Sequence, residues 1–245
     1  MRAFLASSAL LLLVCAPVSA ANEACDAPPA LIESYARLPR VSLSVKRDKK
    51  LEILVVSAAP SQTGAASGLK NYPAFLEQDL KRRLKEIEVS VVAHAEPRKS
   101  IKEVSASFPK LLEEWKPNLV IWQTGTVEAM RGMDPDTYGE LLKAGVETLL
   151  KANADVILVN QQYSPRTDFM FDGGPYTDNM RWVSQTKDIP LFNRYEIMKH
   201  WSETGVFDLT ALRNDGTYEK LHRCLGGLLS DLVIRAASLP GNVER

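Results

Sequence analysis

LEILVVSAAPSQTG, residues 51–64, is the stretch on which the fold turns. It opens with a continuous apolar run, Ile53-Leu54-Val55-Val56, and breaks into small residues at Ser57, Ala58 and Ala59, followed by Pro60 and Ser61. A run that is apolar at every position, rather than at alternate ones, reads as a strand covered on both faces. The turn that ends it is where α/β proteins commonly place a nucleophile or a phosphate loop.

The same grammar repeats downstream. Apolar runs at 87–93, 118–123 and 155–160 and a short one at 190–193 read as strands. Between and after them, 72–85, 108–115, 134–153, 177–186, 195–204 and 221–238 read as helices. Asp134-Pro135 has the chemistry of a helix start, a carboxylate cap followed by a proline in the first turn. Residues 161–178, with Gly173-Gly174-Pro175, read as a loop, and 21–48 as an extended leader ending in a charged turn. Strands alternating with helices predict a three-layer α/β/α sandwich, flavodoxin-like, around about five parallel strands. It forms one domain over 49–240, with no internal repeat or linker. In such sheets the functional crevice lies beyond the carboxyl ends of the strands.

Composition narrows the function classes. Thirty basic and thirty acidic residues cancel, so no bulk field draws the chain to nucleic acid or anionic lipid. Residues 1–20 have the layout of a signal peptide: Arg2, an apolar segment around 9–14, and Val18-Ser19-Ala20 before a cleavage point at Ala21. No later stretch is apolar enough to span a membrane, so a soluble periplasmic or secreted protein is expected. Cleavage leaves Cys25 and Cys224, an even pair that in an oxidising compartment predicts a disulfide, two free buried thiols being the alternative. The three histidines are scattered and no CxxC is present, which argues against a metal site.

Taken in order, ILVVSAAPS (53–61), NLVIWQTGT (118–126), VILVNQQYSPR (156–166) and NDGTY (214–218) resemble the sequence blocks of the SGNH, or GDSL-type, hydrolase family over nearly all of the expected mature chain. That resemblance implies a cofactor-free ester or acyl hydrolase fold built for lipid, sugar or peptidoglycan-type substrates. It also implies where the catalytic groups would stand, and there the residues are wrong. The family's Gly-Asp-Ser falls on Ser57, Ala58 and Ala59, so the nucleophile position carries a methyl group. The glycine whose N–H serves the oxyanion hole falls at Pro97 or Arg98. Gly125 is kept, but the asparagine donor is Val127. The closing Asp-x-x-His reads Asp215-Gly216-Thr217-Tyr218, and a phenol of ordinary pKa near 10 is a poor base at neutrality.

Relocated chemistry is the alternative. Ser57 or Ser61 could supply an oxygen, with His94 or His222 as base and Asp215 as its orienter; a turn serine and an ordinary core or surface histidine are the plainer readings. Glu128 reads as a solvated carboxylate at a helix start or as a new acid. Gln161, Gln162 and Tyr163, with Gly125 and Tyr218, are candidates for holding a polar ligand, loop solvation being the alternative for the first three. The resemblance with its losses therefore implies a degenerate hydrolase that binds a glycan, an acylated ligand or an envelope protein. An esterase or deacylase using relocated residues, and a structural envelope protein, are the competing readings.

Overall fold

A computed structural model describes residues 25–58, 70–210 and 215–240. The expected signal peptide, Ala59, Ser61 and the side chain of Asp215 lie outside the described residues. In chain order the elements are α1 (Pro29–Ile32), α2 (Pro39–Asp48), β1 (Lys50–Ser57), α3 (Tyr72–Arg83), β2 (Glu88–Ala95), α4 (Ile101–Ala106), α5 (Phe108–Trp115), β3 (Leu119–Gln123), α6 (Thr126–Met130), α7 (Pro135–Lys151), β4 (Asp155–Val159), α8 (Pro165–Met170), α9 (Gly174–Lys187), β5 (Leu191–Phe192), α10 (Arg194–Glu203) and α11 (Asp215–Ala236).

The five strands pair in the order β2-β1-β3-β4-β5, every pair parallel. Every residue of β3 (LVIWQ) and β4 (DVILV) is buried, as strands covered on both faces require. Alternation along β1 divides the interior in two. Leu51, Ile53 and Val55 join a core with α3, α10 and α11, whereas Leu54 and Val56 join a second core with α4, α5, α7 and α9. The three-layer architecture read from the sequence is the one observed. The strand order reverses direction between β1 and β3, where Ser57 pairs in register with Gln123. In open parallel sheets such a switch point is where a crevice is expected.

Four local readings are corrected. Residues 39–48 are helical rather than extended, and Val41 and Val45 of α2 enter the first core. The helix has no side-chain cap of its own. Its cap comes from the buried Asp155 at the start of β4, whose carboxylate accepts the Arg40 and Val41 amides at 2.8 and 3.0 Å and the Arg40 guanidinium at 3.2 Å. Within 161–178, read as a loop, residues 165–170 form α8, and Gly174-Pro175 open α9 with Gly173 as its N-cap and the proline where its missing N–H costs nothing. Helix α11 begins at Asp215, six residues before the expected Leu221. Helix α4 was not foreseen, although Ser100 and Glu103 form a reciprocal capping box at its start.

Cys25 and Cys224 are joined by a disulfide that ties the amino-terminal segment to α11 across 199 residues. The segment is also held by Trp201 Nε1 donating to the Asp26 carbonyl at 2.7 Å and Arg235 donating to the Ile32 carbonyl at 3.1 Å. Helix α11 in turn lies so close to α3 that a Cβ on Gly226 would stand 2.8 Å from the Leu76 amide nitrogen. Among the described residues no helix is long and apolar enough to cross a membrane.

Candidate functional site

At the switch point the first-core face of the sheet carries a buried polar cluster. Gln123 ends β3, and its Oε1 accepts the Tyr72 hydroxyl at 3.0 Å. Tyr72 opens α3, and its amide, one of the helix-start donors with no acceptor within the helix, donates to Nδ1 of His222 at 3.1 Å. The His222 ring lies nearly parallel to Tyr72, 6.2 Å between centroids, and against Tyr218 at 4.1 Å. The Arg194 guanidinium lies 5.6 Å over the Tyr72 ring and donates from Nη2 to Gln162 Oε1 at 2.7 Å. Tyr72, Gln123, Arg194 and His222 are all buried, and Gln162 and Tyr218 are half-buried.

Burial controls the electrostatics. His222 is pushed down to about 3 by burial first and by the nearby Arg194 charge second, so its imidazole is neutral throughout the physiological range. Its position at the positive end of α3 acts in the same sense. Tyr72 is pushed up to about 12 by burial, against the pull of Arg194. Burial also lowers the Arg194 pKa, with Tyr72 and Tyr218 opposing.

The sequence-derived candidates separate by face. Ser57 falls on the same side of the sheet as Gln123 and His222. His94 pairs in register with Val56 and so falls on the opposite side from Ser57. There it lies 3.2 Å from Glu96, which also pairs with Lys99 at 2.6 Å. The structure therefore brings Ser57 and His222 to one face and keeps His94 away from it.

The backbone amides at the two glycine positions that the family resemblance singles out are engaged internally. Arg98, in a left-handed conformation at φ +65° that favours glycine, donates its amide to the Ala58 carbonyl at 3.1 Å. Gly125, at φ +97°, donates its amide to Glu128 at 3.1 Å. Val127 stands in α6 and packs on the second core. Glu128 is not the solvated carboxylate expected: it is fully buried and also accepts the Ile101 amide at 2.6 Å, fastening α4 to the β3 turn. Glu128→Gln keeps one acceptor oxygen and strands one of those two amides, so unfolding free energy in urea is expected to fall by about 1–3 kcal/mol.

Two of the expected ligand contacts are turned inward. Gln161 is buried, accepts the Thr177 hydroxyl at 2.8 Å and reaches the Gly173 carbonyl at 3.5 Å, steadying the start of α9. Tyr163 is buried with its ring edge-on to Tyr195. Gln162 and Tyr218 remain at the cluster, while Gly125 packs against Gln161, where a Cβ would stand 2.8 Å from Nε2. Sequence reading missed Tyr72, Gln123 and Arg194. The available signal was position, since Gln123 and Arg194 stand at or just beyond the carboxyl ends of β3 and β5. Among the described residues no group of three His, Cys, Asp or Glu side chains is placed to hold a metal ion.

Residues 24–239 match the profile of the non-GDSL lipase-like family. No curated protein sequence matches the chain. Among solved structures, a catalytic mutant of Axe2, an acetylxylan esterase from Geobacillus stearothermophilus, superposes with a TM-score of 0.61 at 15% identity, over 80% of this chain and 96% of that one. TesA superposes with a TM-score of 0.55 at 20% identity, over 74% of this chain and 99% of its own. The esterase EstA from Pseudoalteromonas sp. gives 0.57 at 17% identity, over 77% and 98%. At these identities the likeness is one of fold.

Proposed function

Because the chain belongs to the non-GDSL lipase-like family, we propose that it is an exported, catalytically silent SGNH-type domain that acts by binding a glycan, an acylated ligand or an envelope partner in the crevice at the β1–β3 switch point. One observation carries the silence: the Tyr72 amide donates to His222 Nδ1. An imidazole that accepts at Nδ1 keeps its proton on Nε2, the tautomer assigned here from hydrogen-bond geometry. A serine hydrolase needs the reverse, with Nδ1–H held by a carboxylate and Nε2 free to take the serine proton. The wrong tautomer lowers turnover by about 10⁴ in a serine protease, and loss of one oxyanion donor by about 10²–10³. Here Ala59 and Tyr218 replace the family's nucleophile and base as well.

The competing esterase reading has one geometric support, the face that Ser57 shares with His222. Hydrolysis of p-nitrophenyl acetate by the purified protein, beside Ser57→Ala, separates the two. The expected rate equals that of buffer for both proteins. Turnover that disappears in Ser57→Ala would overturn the silent reading and place the nucleophile there.

A further inference from the structure

We propose that Arg194 is the anchor for a carboxylate group on the ligand, which makes the occupant of the crevice acidic; the inference rests on the binding function proposed above and names its chemistry. Arg194 is 3% exposed, and no Asp or Glu among the described residues pairs with it. Among the described residues its side-chain hydrogen bond is to the neutral Gln162, its ring partner is Tyr72, and its Nε is buried without a partner. A guanidinium has five donors in a planar fork, so most of its capacity is unused. Buried charges in proteins are ordinarily paired, because the desolvation cost is otherwise uncompensated.

The backbone sharpens the argument. Arg194 is the first residue of the ten-residue helix α10, whose preceding Asn193 provides no side-chain cap. A cation at the positive end of a helix is unfavourable and an anion there favourable; the first-turn carboxylate of α10, Glu196, is engaged with Asn160 and Arg181 rather than Arg194. The other members of the cluster cannot supply that anion. Tyr72 and Tyr218 are phenols, His222 is an imidazole, and Gln123 and Gln162 are amides. The arrangement is complementary to a planar oxyanion that takes two N–H donors of the fork.

The test uses the purified protein with sodium D-glucuronate and sodium acetate as the two carboxylate sources, and D-glucose and sodium chloride at matched ionic strength as controls. Isothermal titration and thermal unfolding are the readouts. A saturable rise in Tm with glucuronate alone identifies an acidic sugar, and with acetate as well, the carboxylate group of a short acid; glucose and chloride give none. In Arg194→Met the affinity falls by about 30-fold or more, as when one partner of a buried charge pair is removed. Without ligand the methionine variant is expected to unfold no lower than the parent, because it removes an uncompensated buried charge. Arg194→Lys, which keeps the charge and loses the fork, is the second variant, with an expected fall in affinity of about tenfold.

No saturable effect of either carboxylate, equal effects of chloride, or unchanged affinity in the variant would overturn the assignment. So would a ligand-free Tm more than about 5 °C lower in Arg194→Met, which would mark the side chain as structural. These outcomes do not depend on the ester assay, so each proposal can fail alone.

Discussion

Removing the Cys25–Cys224 disulfide, as Cys25→Ala with Cys224→Ala, is expected to lower the unfolding free energy by about 2–5 kcal/mol. The bridge spans 199 residues. For a loop of that size the loss of unfolded-chain entropy gives roughly 5 kcal/mol, a ceiling because the unfolded chain keeps some structure. The consequence reaches the site, since Cys224 lies two residues from His222 on α11. Freed from its bridge, the amino-terminal segment keeps the Trp201–Asp26 and Arg235–Ile32 hydrogen bonds, so the fold is expected to survive in weakened form. Urea unfolding of both proteins, oxidised and reduced, measures the difference. A change below about 1 kcal/mol would mean that those hydrogen bonds and the core hold the segment without the bridge.

The second large effect is acid lability traceable to His222. Its pKa falls from 6.5 in the unfolded chain to about 3 in the fold. Above pH 6.5 neither state binds the extra proton, and His222 adds no pH dependence. Between pH 6.5 and about 3 the unfolded chain takes it up and the folded chain does not, so stability falls as pH falls. The slope approaches about 1.4 kcal/mol per pH unit, with a ceiling of roughly 5 kcal/mol across the window.

His222→Phe keeps a ring between Tyr72 and Tyr218 but strands the Tyr72 amide. It is therefore expected to be less stable than the parent at pH 8, by about 1–3 kcal/mol. Its stability should then decline less steeply from pH 6.5 to pH 4, so the two curves converge. Carboxylates shifted in either direction, such as Asp79 downward and Asp155 upward, contribute equally to both proteins and cancel in the comparison. Parallel curves in urea titrations at half-unit steps would show that His222 is not buried as a neutral base.

The fold was legible where burial on two faces leaves a one-dimensional trace. The runs at 51–56, 118–123 and 155–160 are apolar because helices cover both sides of the sheet there, and they lie where strands were expected. Helix α2 was not legible because its cap, Asp155, comes from 114 residues away and leaves no local sign. The start of α9 was misread for a different reason, since glycine and proline serve turns and first helical turns alike. Helix α4 does carry a local sign, Ser100 three residues before Glu103.

The same distinction divides the site. Positions such as Val127 and Tyr218 could be singled out because the blocks that carry the family resemblance are short and contiguous. The buried polar cluster could not, because Tyr72 meets Gln123 across 51 residues, and Arg194 meets Gln162 across 32. Glu128 shows the limit most clearly. Its neighbours in sequence describe a polar helix start, yet the Ile101 amide it accepts belongs to another element, and that contact takes it out of solvent.

Whether this crevice retains an activated serine is tested most directly by reaction with a fluorophosphonate probe, read by intact-protein mass spectrometry. The probe phosphonylates a serine oxygen whose proton a base removes, and fluoride leaves. With His222 fixed by Tyr72 and the Arg98 and Gly125 amides engaged within the protein, the expected result is no adduct after prolonged incubation. A single adduct mapped to Ser57 and absent from Ser57→Ala would contradict catalytic silence and make the protein a hydrolase.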